Sequence, residues 1–331
     1  MSIEAKQLLA LLQVDKTISG SVLAARFGVT RAAIWKQIES LRSHGAPIGV
    51  QTGKGYALQS RVEQLDARLI AAGLPAELAL DAADIDVCWQ IDSTSSELAR
   101  RVSAECASPR VCFAEIQTGG RGRRGRSWYS PLGGGLAFSI LWKFERSMST
   151  LAGLSLVVGI GVVRALRDFG YVDAGLKWPN DVQIRRRKLA GILVELGGDA
   201  LGPCHAIAGI GINVRLGEPA QEFIDQAWID LASARRESVP ERNALAGRLL
   251  ARVLEAVEQF RNTTFSSFKK EFAQYDVLRG HSVRVSTARG FREGVAVGVD
   301  DSGALRVSTT NGELVVDSGE VSIRIRSEVQ P

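Results

Sequence analysis

The sequence of 331 residues is 45% hydrophobic and 23% charged with a net charge of +5. This composition favours a soluble globular protein of two or three domains and suits anionic ligands without requiring nucleic acid. Four scattered cysteines without a CxxC pair and three distant histidines argue against a zinc cluster and a disulfide framework, and the N-terminus has no signal-peptide pattern. Because the longest apolar run, Leu151 to Val163, is too short to span a bilayer, we expect a cytoplasmic protein with no membrane partner.

Residues 1–65 have the pattern of a helix-turn-helix domain. Apolar stripes that begin at Ile3 and at Val22 predict two short helices, and Gly28 predicts the turn that follows the second. Thr30 is a suitable N-cap for a third helix. Two helices joined by a short turn that contains glycine are typical of DNA-binding domains of this class.

The segment from Ile48 to Leu58 has two strand-like halves around a Gly-Lys-Gly tip, as expected for a wing. A purely structural helix bundle would have the same periodicity, but the turn, the basic residues and the wing together favour DNA binding. The side chains expected to lie beneath the recognition helix are Ala33, Ile34, Ile38 and Leu41. The residues expected to contact DNA are Thr30, Arg31, Ala32, Lys36, Gln37 and Lys54.

Residues 66–80 predict a linker helix, and residues 81–275 alternate between strand-like and helix-like segments. The expected strands are 87–91, 111–116, 136–142, 189–196 and 206–214, and the expected helices are 150–169, 242–260 and 265–275. This mixture predicts an α+β domain, in which helices pack on one face of a mixed sheet.

Residues 276–331 predict a small β-barrel, because apolar and polar residues alternate in five short segments separated by turns at Asp301 to Gly303 and at Asn311-Gly312. The apolar positions are Val283, Val285, Val295, Val297, Val299, Leu305, Val307, Leu314, Val316, Val321, Ile323 and Ile325.

The stretch from Gln117 to Arg126 has four arginines and four glycines in ten residues. Glycine lets backbone N–H groups approach a ligand closely, and arginine brings a permanent charge and a forked donor that fits carboxylate and phosphate. Such a loop suits two anions that must meet against their own repulsion. A solvated arginine-rich loop or a nucleic-acid arm would have the same composition.

Three further segments bear polar groups at the ends of predicted strands. Asp92 to Ser96 has hydroxyls that by themselves favour a helix cap. Lys188 follows KWPND at 177–181 and precedes an apolar strand, so its amine either faces a buried ligand or is solvated at the strand end. In Gly209 to Asn213 two glycines would let a ligand lie flat on a strand, although GxG alone is weak evidence.

Together and in this order, the motifs GRGRRGR, KWPND, RKLAGILVE and GIGIN resemble those of the biotin protein ligases, most closely the bifunctional bacterial type that also represses the biotin operon. The resemblance extends over essentially the whole chain. It implies a winged helix, a central domain related to class II aminoacyl-tRNA synthetases and an SH3-like C-terminal domain. It also implies that biotin and Mg-ATP give biotinyl-5′-AMP and pyrophosphate, after which biotin passes to one lysine of a biotin carboxyl carrier protein.

The resemblance assigns roles to individual residues. The implied catalytic residues are Arg123, Lys188 and Asp181, the last in a metal-binding or lysine-orienting role. The implied biotin-binding residues are Ser93, Thr94, Ser95, Gln117, Gly120, Arg121, Gly122, Arg123, Lys188, Gly191, Gly209 and Gly211. The implied ATP- and adenylate-binding residues are Arg121, Arg124, Arg126, Trp128, Lys188, Asn213 and Trp228. No side-chain cluster for a resident metal is expected, and Mg²⁺ is expected to accompany ATP.

The family likeness further implies that biotin is both substrate and corepressor, and that the partners are operator DNA and a homodimer formed when the adenylate is bound. Two departures from the family pattern stand out. Ser95 occupies a position that is usually asparagine, and Leu132 to Gly135 reads Leu-Gly-Gly-Gly, which leaves dimer contacts near that loop open.

Three other functions fit part of the sequence. A lipoate or octanoate transferase has a related catalytic fold but gives no reason for KWPND and GRGRRGR together. A biotin sensor that has lost ligation has no support, since the charged positions of the motifs are intact. An RNA-binding protein would need more aromatic stacking residues than Trp128 and Tyr129 beside the arginine loop.

Overall fold

The structure is a computed structural model, and it describes residues 4–325 apart from 79, 104–105, 107, 218–219, 236–238, 288–289 and 318–321. Within this range, two-, seven- and five-stranded sheets follow one another along the chain. The apolar residue Ile3 and the apolar residue Val321 lie outside the described residues.

The N-terminal unit consists of helices α1 (Ala5–Leu11), α2 (Gly20–Phe27) and α3 (Arg31–Ser43), followed by the hairpin of β1 (Ile48–Gln51) and β2 (Gly55–Leu58). Gly28 ends α2 in the left-handed region at φ 63°, and the Thr30 hydroxyl accepts from Ala33 N as the N-cap of α3. Ile34, Ile38 and Leu41 are buried.

The central sheet has the strand order β3-β4-β5-β9-β8-β7-β6, and only β3 and β4 run parallel. Its strands are β3 (Ile85–Ile91), β4 (Arg110–Gln117), β5 (Gly135–Phe144), β6 (Gly175–Lys177), β7 (Asp181–Ile184), β8 (Arg187–Gly198) and β9 (Cys204–Asn213). The helices of this unit are α4 (Ala67–Ala71), α5 (Thr94–Arg101), α6 (Leu154–Asp168), α7 (Ala220–Phe223), α8 (Leu231–Ala234), α9 (Arg242–Arg261) and α10 (Lys269–Tyr275).

Helix α6 lies in the core, although the stretch from Met148 to Asp168 is long and apolar enough to cross a membrane by composition. Val157, Ile160 and Val163 are fully buried, and Gly161 lets the backbone of α9 approach closely. It is therefore the core helix of a soluble protein. The helix begins at Leu154 and not at Thr150 as predicted, because Gly153 adopts φ 81° beneath the ring of Phe265.

The segment predicted as a linker is held tightly to the central unit. Ile70 of α4 is fully buried, and Gly73 packs against Gly247 of α9. Just before it, Leu65 N donates to the buried Glu115 carboxylate, which also accepts from Arg242 at 2.8 Å. This packing favours assigning the predicted linker to the central domain.

The C-terminal unit is a five-stranded antiparallel sheet in the order β13-β12-β11-β10-β14. The strands are β10 (Ser282–Thr287), β11 (Gly290–Val299), β12 (Leu305–Thr309), β13 (Gly312–Val316) and β14 (Ser322–Ile325). The alternation predicted for β11 at Val295, Val297 and Val299 holds only at Val299. A register shift between Ala296 and Gly298 turns Ala296 and Val299 inward and leaves Val295 and Val297 exposed.

The predicted fold class is confirmed in its three parts, a helix-turn-helix unit, a central mixed sheet with helices and a small C-terminal antiparallel sheet.

Candidate active site

A cavity of about 340 Å³ opens on the central sheet where β4, β5, β8 and β9 lie side by side. The sequence-predicted residues that line it are Ser93, Thr94, Ser95, Gln117, Arg121, Gly122, Arg123, Arg126, Trp128, Lys188, Gly191, Gly209, Gly211, Asn213 and Trp228. Further lining residues come from strand interiors and from residues 223–226, namely Ala137, Phe138, Ile192, Leu193, Ile210, Phe223, Ile224, Asp225 and Gln226.

One end of the cavity is lined by buried hydroxyls in a closed hydrogen-bond network. Thr94 donates through N and Oγ1 to Gln117 Oε1 at 2.9 and 3.2 Å. The Ser139 hydroxyl pairs with Thr94 Oγ1 at 2.7 Å and with Ser95 Oγ at 2.9 Å. The expectation that these hydroxyls cap a helix is wrong. Ser93 stands at the N-cap of α5 without a side-chain cap bond, and the next two hydroxyls bond across the sheet.

Ser139 was missed by sequence reasoning. It is fully buried in β5, between Phe138 and Ile140, and it joins the hydroxyls of Thr94 and Ser95 to that strand. The available signal was the single serine within the apolar run 136–142, since a buried hydroxyl requires a partner.

Three glycines make room for groups that lie flat on the sheet. A Cβ on Gly209 would stand 2.7 Å from Ser95 Oγ, and one on Gly211 would stand 2.2 Å from the Trp128 indole. Gly191 faces both Trp128 and Lys188. The indole Nε1 of Trp128 is buried without a hydrogen-bond partner. A buried unpaired donor at a cavity wall is a position where a ligand acceptor would be stabilised.

Lys188 supplies a cation at the middle of the cavity. Its Nζ lies 2.8 Å from Asp181 Oδ1 and 5.6 Å from the centre of the Trp128 ring. Both members of the ion pair are largely buried. The backbone of Lys188 pairs with the segment of Trp228, and Asn213 Nδ2 donates to the carbonyls of Lys188 and Ile229. The lysine is thus fixed from both sides by β-structure.

The arginine loop covers the other end of the cavity. Gly122 N donates to Arg126 O at 2.6 Å, and Arg124 adopts φ 59°, an uncommon conformation for a residue with a side chain. Arg121 forms an exposed ion pair with Glu195. Burial lowers the pKa of Arg123, while the nearby Asp181 carboxylate raises it. Because desolvation disfavours its charge, an anion beside this guanidinium would be stabilising.

A second, polar cavity of about 310 Å³ adjoins the first. Arg124 and Asp181, both predicted as site residues, line this second cavity and not the first. Gly120 lines neither of the two. It lacks the Cβ that would collide with the carbonyl of Trp128, and its own carbonyl accepts from Trp128 N at 2.9 Å.

Among the described residues, no group of three or more His, Cys, Asp or Glu side chains is placed to hold a metal ion. The carboxylates of Asp181 and Asp225 do line the polar cavity. Mg²⁺ commonly binds proteins through one or two carboxylates together with substrate phosphates, and these residues fit a metal that enters with its nucleotide.

The predicted DNA-contact residues lie together on the exterior of the N-terminal unit. Arg31, Ala32 and Lys36 are exposed along α3, Gln37 is half-buried, and Lys54 is exposed at the tip of the hairpin. Trp35, which had no predicted role, is 58% exposed in the same helix. Its spacing of four residues from Arg31 was the signal that places it on that surface.

The described geometry therefore joins an apolar, hydroxyl-ended pocket to a cation-lined cavity across one buried lysine. Such a site suits a ligand with a carboxylate and a ligand with phosphates that meet at Lys188. No side-chain nucleophile is needed if the carboxylate itself attacks.

Comparisons with known proteins agree with this geometry. Residues 87–213 match the Biotin/lipoate A/B protein ligase family, residues 4–57 an HTH domain, and residues 280–324 the Biotin protein ligase C terminal domain. The chain is 36% identical over 317 residues to the bifunctional ligase/repressor BirA of Salmonella typhimurium, with 96% of each chain covered. It is 29% identical over 313 residues to that of Bacillus subtilis, with 93% of this chain and 94% of the relative covered.

Solved structures give the same result. The biotin protein ligase from Aquifex aeolicus in complex with biotin and ATP aligns with a TM-score of 0.64 and 30% identity, over 73% of this chain and 99% of that chain. The range 87–213 contains most of the residues that line the cavity described above.

Proposed function

This chain belongs to the biotin protein ligase family, in the type that joins a ligase to a repressor, and from this premise we propose its reaction. It activates biotin with ATP to biotinyl-5′-AMP and transfers biotin to one lysine of a biotin carboxyl carrier protein. The observation that carries this proposal is the buried Lys188–Asp181 pair between a hydroxyl-ended pocket and an arginine-lined cavity.

The hydroxyl end of the pocket suits the ureido ring of biotin, which has one carbonyl acceptor and two N–H donors. Thr94 and Ser95 line this end and can each donate or accept, Gln117 offers an amide, and the buried Ser139 hydroxyl bonds to both hydroxyls from behind. The apolar walls at Phe138 and Ile210 suit the rest of the ring system and the valeryl chain. Biotin would then direct its carboxylate toward Lys188.

In the first step a carboxylate oxygen of biotin attacks the α-phosphorus of ATP. A carboxyl O–P bond forms, the bond from the α-phosphorus to the bridging oxygen breaks, and pyrophosphate leaves with that oxygen and the bonding electron pair. Lys188 lies where it offsets the repulsion between carboxylate and phosphate, and Asp181 holds its amine in position. Mg²⁺ enters as the complex with ATP.

In the second step the amine of the carrier lysine attacks the acyl carbon, and AMP leaves. Until then the mixed anhydride must be kept from water. Arg123 lines both the pocket and the polar cavity, and Trp128 covers Gly211, so the loop that bears them is suited to hold the adenylate in place. We expect this loop to gain order when biotin and ATP bind.

We also propose that the N-terminal unit represses biotin synthesis genes by binding their operator, with biotin as corepressor. The support is the match to an HTH domain and the basic surface formed by Arg31, Lys36 and Lys54. Because one recognition helix reads only a half-site, operator binding would require a homodimer, formed when the adenylate is bound. We place the protein in the cytoplasm, where ATP and the carrier meet.

The first test is transfer of labelled biotin to a biotin carboxyl carrier domain with Mg-ATP. Labelling of the single acceptor lysine, together with pyrophosphate release that depends on biotin, is the expected result. If the protein binds biotin in calorimetry but gives neither product, it is a biotin sensor and not a ligase. Label transfer from lipoate or octanoate in place of biotin would identify the alternative transferase.

Operator binding is tested separately with DNA from upstream of biotin synthesis genes. Arg31→Ala with Lys36→Ala should abolish the gel shift and leave ligation unchanged, whereas a retained shift would exclude this surface as the DNA reader. Each lost phosphate contact should reduce the slope of log affinity against log salt by about 1.

A further inference from the structure

Two thiols lie side by side at the edge of the central sheet, outside the lining of the active-site cavity. The Sγ atoms of Cys88 and Cys112 are 4.0 Å apart. Cys112 is fully buried, whereas Cys88 is half-buried. The Cys112 thiol also donates to the carbonyl of Phe113 at 3.8 Å. A half-exposed thiol in contact with a buried one forms a dithiol that an oxidant can reach from solvent.

The pairing of β3 with β4 places both thiols on one face of the sheet. Cys88 of β3 stands opposite Ala114 of β4. Cys112 of β4 stands opposite Asp86 of β3. Because side chains alternate between the two faces of a strand, the two thiols project from the same face. A disulfide bond is about 2.05 Å long, and β3 is the edge strand that would shift to allow it, since it pairs only with β4.

The two thiols differ in reactivity as well as in exposure. Burial, and then the neighbouring Cys88, raises the pKa of the Cys112 thiol above its usual value, while the charge of Arg101 lowers it. A protonated thiol is a poor nucleophile, because the thiolate is the reactive form. Cys88 is therefore the sulfur that a peroxide from solvent would meet first.

The same two strands carry the residues of the hydroxyl end. Strand β3 leads through Asp92 to Ser93 and Thr94 at the start of α5, and β4 ends at Gln117. Thr94 donates through N and Oγ1 to Gln117 Oε1. Because β3 and β4 run parallel, these hydrogen bonds and a disulfide further back would connect the same pair of strands. A change in the spacing of the strands would thus reach the hydroxyl end.

Helix α5 packs on the thiols from above. Leu98 of this helix is fully buried in one apolar cluster with Cys112, and Cys88 packs against that cluster. The hydroxyls of Thr94 and Ser95 lie at the first turn of the same helix. The helix therefore gives a second connection between the dithiol and the hydroxyl end.

We propose that Cys88 and Cys112 form a reversible disulfide when hydrogen peroxide oxidises the protein, and that this bond weakens biotin binding by shifting β3 against β4. The modification site goes beyond the proposed function, and only its effect on biotin rests on that function. In a reducing cytoplasm such a bond would be transient, as redox-sensing disulfides are.

The oxidation proceeds in two steps. The Cys88 sulfur attacks a peroxide oxygen, the O–O bond breaks, and a sulfenic acid and one water form. The Cys112 sulfur then attacks the Cys88 sulfur. The S–S bond forms, the S–O bond breaks, and the second water leaves with the proton of the Cys112 thiol. Two thiols lose two electrons, which reduce the peroxide to two waters, and an added dithiol reductant reverses the bond.

The test treats the full-length protein with hydrogen peroxide, alkylates the remaining thiols and maps the tryptic peptides by mass spectrometry. Arginine lies between Cys88 and Cys106, between Cys106 and Cys112, and between Cys112 and Cys204, so trypsin separates the four cysteines. We expect a linked pair of the Cys88 and Cys112 peptides that disappears after dithiothreitol. The Kd of biotin in calorimetry should rise by about fivefold on oxidation, the effect of one lost hydrogen bond, and return after dithiothreitol.

Cysteine variants provide the controls. Cys88→Ser should give no linked peptides and a Kd of biotin that does not respond to peroxide. Cys88→Ala is the second variant and should behave in the same way if the serine disturbs the fold. Cys204→Ser replaces a thiol that bonds to Arg146 O on another strand, and as the matched control it should respond to peroxide as wild type does.

The outcomes separate this proposal from the proposed function. Absence of the linked peptides, or a link from Cys88 to Cys106 in their place, overturns the assignment of the site. Linked peptides with an unchanged Kd of biotin overturn the coupling to the hydroxyl end. If the reduced wild type does not bind biotin, the proposed function fails, whereas the linked peptides are still expected and still test the site.

Discussion

The two ends of the active site are built in opposite ways. At the hydroxyl end the groups lie on α5, β4 and β5 and hydrogen-bond to one another across the sheet, with Ser139 fully buried. At the end covered by the arginine loop, the cations lie on that loop and Arg124 has a positive φ. The buried Nε1 of Trp128 there has no hydrogen-bond partner.

This difference separates recognition from closure. A network satisfied within the protein can recognise a small neutral ring system with little reorganisation, because its donors and acceptors are already oriented. A loop of arginines and glycines is costly to order by itself, and contacts to an anion offset that cost. Lys188, on a strand but beneath the loop, belongs to both ends.

Replacing Lys188 should have the largest effect, because it removes the fixed cation at the boundary between the two cavities, while Arg123 still lies near Asp181. Lys188→Ala should slow biotin-dependent pyrophosphate release by about 10³-fold or more, with near-normal thermal unfolding. Asp181→Asn keeps the cation and should be less severe. Near-wild-type pyrophosphate release in Lys188→Ala would contradict the role of the lysine.

Replacing Arg123 tests the closure end. Arg123→Gly removes a half-buried cation that lines both cavities and should let the adenylate escape. We expect labelling of bystander lysines to rise by on the order of tenfold or more, because free mixed anhydride reacts with any amine. A biotin blot of mixed proteins measures it, with Arg185→Met as control. An unchanged labelling pattern would mean that retention depends on other residues.

Replacing Ser139 tests the recognition end. Ser139→Ala leaves two cavity hydroxyls without their shared partner and should weaken biotin binding by about 1 kcal/mol, roughly fivefold. Calorimetry with biotin alone measures this effect. Ser108→Ala, which removes a hydrogen bond to Lys143 N at the far end of the same strand β5, is the control. Equal biotin affinity in the two variants would contradict a preorganised hydroxyl network.

Sequence patterns predicted elements well where the signal is local. Thr30 caps α3 as expected, and β3, β4, β5, β8 and β9 of the central sheet lie within a few residues of their predicted bounds. The short strands β6 and β7 were not predicted. The glycines of the GIGIN motif do lie against the cavity, where a Cβ would collide with Ser95 and Trp128. The spacing of glycines within one strand predicts positions of this kind, where a Cβ would collide with a neighbouring group.

The predictions that were wrong depended on partners distant in sequence. The hydroxyls after Asp92 fit a cap locally, but their bonds go to Ser139, 44 and 45 residues away. The inward pattern of β11 changes at a bulge that its pairing with β12 imposes. The linker at residues 66–80 stays a prediction, although Ile70 there is buried and α4 packs against α9 and β3.

Asp276, which lies away from the active site, also has a buried side-chain atom without a hydrogen-bond partner, and it differs from Trp128 in what would stabilise it. Asp276 Oδ2 is buried and unpaired, while Oδ1 accepts from Leu278 N. Burial raises the pKa of Asp276 above its usual value, although backbone hydrogen bonds and the charges of Arg279 and His281 lower it. Protonation, which removes the buried charge, would stabilise this carboxyl group.

The raised pKa of Asp276 determines how the free energy of unfolding changes with pH. Because the folded pKa of Asp276 is raised, the protonated carboxyl contributes stability below the unfolded pKa near 3.8, and that contribution is lost as the pH rises through the folded value. Asp276→Asn keeps the Oδ1 acceptor and never ionises. The free energy of unfolding of the variant should therefore rise relative to that of wild type as the pH increases from about 3.5 to about 7. Urea unfolding at the two pH values measures this difference. A gap of the same size at both pH values would mean that the carboxyl does not titrate in this range. The unpaired indole N–H of Trp128, in contrast, takes up no proton. It should gain a hydrogen-bond acceptor only when biotin and ATP bind.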